Sequence, residues 1–438
     1  MQVTVIGAGY VGLIAAVCLA ESGHTVKGVD VDHAKVEALR AGRSPIYEPG
    51  IEELIASGLA SGRLSFHTPD DGWRELISEI TIVAVGTPMA ESGAADLSQV
   101  RDAVAALCAE ADIPFTLVMK STVAVGTGNS LIERFLSRAG VPITYVSNPE
   151  FLREGRAISD WYETDRIVLG AADPTHLAPL RDLYADIVAP VLETDIASAE
   201  TIKYASNAFL ATKISFINEI ANFCDVVGAD IDDVSHGIGM DARISPHFLH
   251  AGIGYGGSCF PKDTRALDFI AAMNGYQFSL LKSVIDVNNR QRLLPVIRLT
   301  DAMDGMDGRR IALLGLSFKP HTDDVRESPA VDMIPLLLEA GASVVTYDPL
   351  AVPVEMDGVE RCATVWEALA GASAVIVATE WGEFSALDWS RVRGVMEEPA
   401  IVFDGRNCLD ADAVRAAGLT YMAVGRPGAH RIDSKLRG

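Results

Sequence analysis

Between Val3 and Asp30 the chain runs an apolar stretch, Val3-Thr-Val-Ile6, into Gly7-Ala-Gly-Tyr-Val-Gly12 and then an apolar-periodic segment to about Ser22. Gly23-His24 breaks that segment, Thr25 to Val29 is a second apolar stretch, and Asp30 ends it. The order predicts strand, glycine turn, helix, strand and acid, which confines these residues to a βαβ unit. Gly7 makes the turn, Gly9 lets a pyrophosphate approach the backbone, and Gly12 lets the helix pack on the sheet. The pyrophosphate then sits at the helix start, where free N–H groups and the dipole favour anions. Asp30 accepts hydrogen bonds from ribose hydroxyls and repels a 2′-phosphate, so NAD is expected over NADP. The cofactor-binding candidates here are Gly7, Gly9, Tyr10, Val11, Gly12, Asp30 and, one turn later along the ribose, Lys35. The alternative is a glycine turn that serves packing alone.

Two later strands, Ile82 to Pro88 and Thr116 to Thr122, end in small polar residues. Ligands of open α/β sheets bind at carboxyl strand ends, so Thr87 and Thr122 are candidates to face the nicotinamide half; capping the next helix is the alternative for each. From Ala197 to Val227 helical periodicity is almost uninterrupted, which predicts a long spine between domains. Lys203 and Asn207 lie four apart on it and share a face; Tyr204, Ala205, Phe209 and Ile214 imply that one side is buried. A second α/β cadence begins near Arg309, with strands at 310–318, 344–348, 374–379 and 400–404 and again an acid, Asp348, after the second. Gly315-Leu-Ser-Phe-Lys319 replaces the glycine fingerprint, so this sheet is adapted to another ligand. Lys319, Arg326 and Arg406 fall at its strand ends or in the loops after them, suited to phosphates. The fold expected is α/β, two Rossmann-like doubly wound domains joined by a long central helix and a helical middle domain. The segments read from sequence are 1–196, 197–300, 301–425 and a loose tail over 426–438.

The middle segment carries Gly256-Gly-Ser-Cys-Phe-Pro-Lys-Asp263, a thiol in a glycine-rich turn with an ammonium and a carboxylate three and four residues on. A thiolate is the nucleophilic form of cysteine, and nearby positive charge favours it. The alternative is a buried cysteine at a helix start, with Pro261 in the first turn. The other five cysteines, Cys18, Cys108, Cys224, Cys362 and Cys408, form no Cys-x-x-Cys pair with it or each other, which suggests reduced thiols in a cytoplasmic protein; no metal-ligand set is read. With 36 Lys and Arg against 59 Asp and Glu, the net charge of -23 argues against a nucleic-acid or anionic-membrane partner. An anionic ligand must therefore be held by local basic groups and backbone N–H. No apolar run is long enough to span a bilayer, and the chain enters a strand at Val3 with no basic, apolar leader before it.

Taken together, Gly7-Ala-Gly-Tyr-Val-Gly12, Gly86-Thr-Pro88, Ser121-Thr-Val123, Asn148-Pro-Glu-Phe-Leu-Arg-Glu-Gly155, Lys203-Tyr-Ala-Ser-Asn207, Gly254 to Asp263, Phe318-Lys and Asp324-Val-Arg-Glu-Ser328 make the chain resemble the UDP-glucose/GDP-mannose dehydrogenase family from about residue 1 to 425. Asp165-Arg-Ile-Val168 is similar to the UDP-glucose branch; His250 stands where other members often have Lys. The resemblance implies oxidation of a sugar C6 alcohol to a carboxylate with two NAD and one water. It implies Cys259 as the nucleophile toward the aldehyde, forming a thiohemiacetal and then a thioester. It implies Glu150 as base for hydrolysis, Lys203 and Asn207 as stabilisers of the oxyanions, and Thr122 and Asp263 as holders of the water that takes the alcohol proton. Glu154, Lys262 and Arg326 are implied at the cofactor. A UDP-sugar is implied against the loop Glu150, Phe151, Leu152, Arg153 and Glu154, the loop Phe248, Leu249, His250, Ala251 and Gly252, Gly256, Lys319 and Arg406. The family is commonly dimeric or larger. The alternatives are a GDP-mannose dehydrogenase and a two-electron 3-hydroxy-acid dehydrogenase, whose helices also bear a Lys-x-x-x-Asn pair but need no nucleophilic cysteine.

Overall fold

Apart from its exposed first residue, every residue of β1 (Gln2–Ile6) is buried, the pattern of a parallel strand covered on both faces. β2 (Thr25–Val29) pairs with it in parallel, Val3 opposite Val26 and Ile6 opposite Val29. The computed structural model of the chain describes residues 1–351 and 356–426. The chain forms two units: Met1–Ser206 with Arg265–Tyr276, and Asn207–Thr264 with the chain from Gln277 onward. The boundary between them falls inside a single helix, Ile196–Val227.

The first unit is built on β1, β2, β3 (Leu64–His67), β4 (Ile80–Val83), β5 (Phe115–Met119), β6 (Ile143–Ser147), β7 (Ile167–Gly170) and β8 (Val191–Thr194). Their order across the sheet is β3-β2-β1-β4-β5-β6-β7-β8. The first six follow the doubly wound order, which reverses between β1 and β4 and opens a crevice there. The sheet is not parallel throughout: β6 and β7 pair antiparallel at Ser147 and Gly170, and β8 runs parallel to β7. The helix Tyr10–Glu21 is buried from Gly12 to Ala20 against the sheet. A Cβ on Gly12 would lie 1.8 Å from the Gly7 carbonyl oxygen, so that contact requires glycine.

The second unit holds β9 (Arg310–Leu314), β10 (Ser343–Tyr347), β11 (Val359–Arg361), β12 (Ala374–Val377), β13 (Ile401–Asp404) and β14 (Thr420–Ala423). These are all parallel, in the order β11-β10-β9-β12-β13-β14, the doubly wound arrangement again. Between β8 and β9 the chain is helical, with helices at Ile196–Val227, Ile231–Gly239, Phe260–Met273, Ser279–Gln291 and Leu294–Met303. Asp195 starts the longest of them, its carboxylate accepting from the Ser198 N–H at 2.9 Å. Tyr204 on that helix is fully buried, but Ala205 and Phe209 are exposed, contrary to the expectation that both belong to its buried side. Heptad spacing explains the difference: Phe209, Phe216 and Phe223 form one outward stripe, while Ala208, Ala211 and Ile217 face inward. Of the expected tail, all but Arg426 lies outside the described residues. No helix among the described residues is long and apolar enough to cross a membrane.

Candidate active site

A cavity of about 750 Å³ opens where the first sheet's strand order reverses. Gly7 and Gly9 after β1, Asp30 after β2, and Ala84 to Gly86 after β4 line it, with Lys35, Trp73 and Gln99. Gly7 adopts φ +94°, and a Cβ there would meet the Ala84 carbonyl oxygen at 2.7 Å, so the turn itself demands glycine. Gly9 differs. Its φ of −76° suits any residue, and a Cβ would meet no protein atom within 4 Å. Its bare backbone leaves a cradle at the helix start that a pyrophosphate fits. Asp30 is buried behind the loop, accepting from the Ala8 N–H and the Lys35 ammonium, each at 2.8 Å. Tyr10 turns its hydroxyl toward Glu48, and the Gly155 N–H donates to that hydroxyl at 2.8 Å. Glu48, with no motif around it to mark it in the sequence, thus ties the Asn148-to-Gly155 loop to the glycine turn. Val11 packs on the core, Thr87 is buried, and Thr122 is half-buried.

In the same unit, Glu150 and Lys203 form a buried ion pair, Nζ to Oε1 2.8 Å. Burial pushes Glu150 upward, but the Lys203 charge and hydrogen bond, the Leu152 N–H and the Lys120 charge together hold its carboxyl below the usual value. Two cations lie over the Phe151 ring, the Arg166 guanidinium 3.8 Å from its centre and the Lys203 ammonium 5.4 Å. Arg153 is committed to Asp160 through its backbone N–H and side chain. Glu154 is half-buried at the end of this loop.

In the second unit, Cys259 is exposed immediately before the helix Phe260–Met273, and its carbonyl accepts the Asp263 N–H at 2.8 Å. Negative charge formed at this thiol faces the positive end of the helix. One turn on, Asp263 is buried and accepts from Asn207 Nδ2 and Lys262 Nζ, each at 2.6 Å. Asp263 therefore positions the Asn207 amide, a role its sequence neighbours do not signal. The preceding loop is held close to other backbone: a Cβ on Gly256 would lie 2.2 Å from the Glu327 carbonyl oxygen, and one on Gly257 would strike the Phe318 ring. Its polar groups are met from residues that carried no motif. Asn288 exchanges two hydrogen bonds with Tyr255, and Arg292 donates to the Tyr255 carbonyl. Asn218 and Gln291 satisfy Gly252.

Arg406 braces the same region. Its guanidinium donates to the carbonyls of Ala378, Gly254 and Phe318, and its own carbonyl faces His250 Nε2 at 2.8 Å. Phe248 takes φ +63° and meets Phe260 edge-on, Leu249 and Ala251 join the core, and Lys319 lies over the Phe318 ring. Arg326 pairs with Asp324 while its carbonyl accepts the Gly257 N–H. Asp348, which follows β10 as Asp30 follows β2, spends its carboxylate on the Leu316, Ser317, Leu350 and Ala351 N–H groups. Asp30 is engaged in a similar way by the Ala8 and Asp32 N–H groups, so the two sheets share an acid after the second strand and differ in the glycine fingerprint, which the second lacks.

Three successive stretches match models of the UDP-glucose/GDP-mannose dehydrogenase family: its NAD binding domain over residues 1–188, its central domain over 197–290 and its UDP binding domain over 312–411. A UDP-glucose 6-dehydrogenase of Bacillus subtilis (strain 168) is 48% identical over 434 residues, covering 97% of this chain and 98% of its own. One from Rhizobium meliloti (strain 1021) is 44% identical over 439 residues, covering 98% and 100%. The solved UDP-glucose dehydrogenase of Pyrobaculum islandicum superposes with a TM-score of 0.90 at 40% identity, covering 97% and 98%. With the motifs in order, a cavity at the expected switch point and these matches end to end, the chain belongs to the UDP-glucose/GDP-mannose dehydrogenase family.

Proposed function

We propose that the protein oxidises UDP-glucose to UDP-glucuronate with two NAD and one water, through covalent attachment to Cys259. The observation that carries this reading is the exposed Cys259 thiol at a helix start, one turn from the Asp263–Asn207 pair. The substrate is taken from the relatives' names and from Asp165-Arg-Ile-Val168. Gly7, Gly9, Gly12 and Asp30 would hold NAD, which accepts the hydride in both oxidations; the buried Asp30 carboxylate favours it over NADP.

A water held by Thr122 and Asp263 takes the alcohol proton while the Lys203 ammonium stabilises the developing alkoxide. Cys259 adds to the resulting aldehyde, forming a C–S bond and a thiohemiacetal that cannot escape before the second oxidation. Oxidation of that carbon gives a thioester. Glu150, ionised and hydrogen-bonded to Lys203, takes a proton from the attacking water; the C–S bond breaks, and the thiol and carboxylate are released. Asn207 and Lys203 stabilise the tetrahedral oxyanions. Glu154, Lys262 and Arg326 serve the cofactor, and the 248–252 loop, Gly256, Lys319 and Arg406 the UDP-sugar. Residues 1–196, 197–300 and 301–425 are the corresponding cofactor, central and nucleotide domains; the protein is a homodimer or larger, and the exposed Phe209, Phe216 and Phe223 on the central helix offer an apolar face for such pairing.

The test is NADH stoichiometry with UDP-glucose and with GDP-mannose. Two NADH per UDP-glucose support the reading. One NADH per substrate points to a two-electron dehydrogenase, and a preference for GDP-mannose overturns the substrate.

A further inference from the structure

Lys120 follows β5, whose five residues are all buried, and is itself 6% exposed. It makes no ion pair with a carboxylate among the described residues. Instead its Nζ donates to Asn148 Oδ1 at 3.0 Å and lies 5.4 and 5.6 Å from the ring centres of Trp161 and Tyr184. The Tyr184 hydroxyl donates to the same Asn148 oxygen at 2.6 Å, and Asn148 Nδ2 donates to the Val168 carbonyl. Asn148 is thus clamped, and Glu150 lies two residues beyond it. Lys120, Asn148, Glu150, Trp161 and Tyr184 line one cavity of about 40 Å³, which has room for an ordered water.

A buried ammonium without a contacting carboxylate is costly, and an apolar residue of similar volume would avoid that cost. Lys120 lines the same cavity as Glu150, and its charge acts on that carboxylate. Burial pushes the Lys120 ammonium down, the Glu150 charge pulls it back up and the Lys203 charge pushes it down, leaving it at about 8. The other charged groups around the cavity are Asp160 and Arg166; Asp160 is already paired with Arg153 and Arg156.

We propose that Lys120 is a positioning residue for Glu150: it fixes the Asn148-Pro149-Glu150 turn through Asn148 and, with Lys203, keeps the Glu150 carboxylate ionised. This rests on the assignment of Glu150 as the base for thioester hydrolysis.

The test compares full-length Lys120→Met and Lys120→Gln with wild type, reading kcat against pH, first-turnover NADH formation and KM. Gln keeps a donor for Asn148 but no charge. The expected result is that the acid limb of kcat moves up by about one pH unit in both variants, with the first turnover and KM unchanged in Lys120→Gln, which keeps the donor to Asn148. An acid limb at the wild-type position in either variant overturns the proposal. So does failure of both variants to fold, which assigns Lys120 a structural role. Glu150→Gln separates the two readings: if it hydrolyses the thioester at the wild-type rate, the base assignment falls, whereas its loss of hydrolysis with an unmoved limb in the Lys120 variants leaves that assignment and removes Lys120 alone.

Discussion

Lys203→Met removes one partner of a buried ion pair and leaves the other in place. The two side chains are 5% and 7% exposed and 2.8 Å apart. At an effective dielectric near 20, charges that close attract by about 6 kcal/mol, most of it offset by the desolvation of both groups. Breaking such a pair costs roughly 3–5 kcal/mol, because a buried charge is left uncompensated. The Leu152 N–H and Lys120 still support Glu150, which places the expected loss at the lower end, about 3 kcal/mol. In a unit of this size that lowers the thermal midpoint by roughly 10 °C. The pH dependence identifies the cause. In the wild type Glu150 titrates below its ordinary value, so its contribution is present above about pH 4.5 and lost as pH falls. Without Lys203, burial dominates and Glu150 titrates above that value. The folded variant then binds the proton more tightly than the unfolded chain, and its deficit shrinks as pH falls toward 4.5. Calorimetric melting at pH 8 and pH 5 measures this, and the double variant Lys203→Met/Glu150→Gln should recover more than half of the loss at pH 8. An equal deficit at both pH values, or no recovery in the double variant, would refute the buried-charge argument. Turnover should also fall by roughly 10²–10³, the scale of one lost oxyanion stabiliser.

Gly9→Ala should leave the thermal midpoint unchanged while raising KM for NAD at least about tenfold, because its Cβ meets no protein atom; Gly12→Ala, with its Cβ 1.8 Å from the Gly7 oxygen, should lower the midpoint or abolish soluble protein. A stability loss in Gly9→Ala would show that packing, not a ligand, requires that glycine. Asp30→Asn keeps an acceptor for the Ala8 N–H but loses the charge facing Lys35, and should cut the preference for NAD over NADP by about tenfold or more; an unchanged ratio measured with both cofactors removes Asp30 from that role. Cys259→Ala should reduce acid formation on the order of 10³-fold or more while the first hydride transfer survives. Wild-type acid production by that variant, read by product chromatography, contradicts covalent catalysis at Cys259.

Local features are legible in the order of residues alone. The strand, glycine turn, helix and second strand of residues 3–30, the long central helix and the cadence of the second sheet each rest on neighbours in sequence, where side-chain period and backbone freedom act directly. The reversed direction of β7 and β8 is not legible there, since a short apolar run reads the same in either direction. The outward Phe209 departs from expectation for a related reason: an apolar residue on a helix does not reveal which face the core covers.

The sequence by itself determined the two nucleotide-type sheets, the helix carrying Lys203 and Asn207, and the thiol in its glycine loop, because each is written in residues a few positions apart. Tertiary structure decided what those groups touch. Glu150 meets Lys203 across 53 residues, Asn207 meets Asp263 across 56, and Arg406 reaches Gly254 across 152. It also decided that Lys120 is buried, and that Asn218, Asn288, Gln291 and Arg292 satisfy the loop before Cys259. These choices follow from burial: once water is excluded, each polar group must find a partner wherever the fold brings one. The spacing of residues along the chain carries no record of those partners.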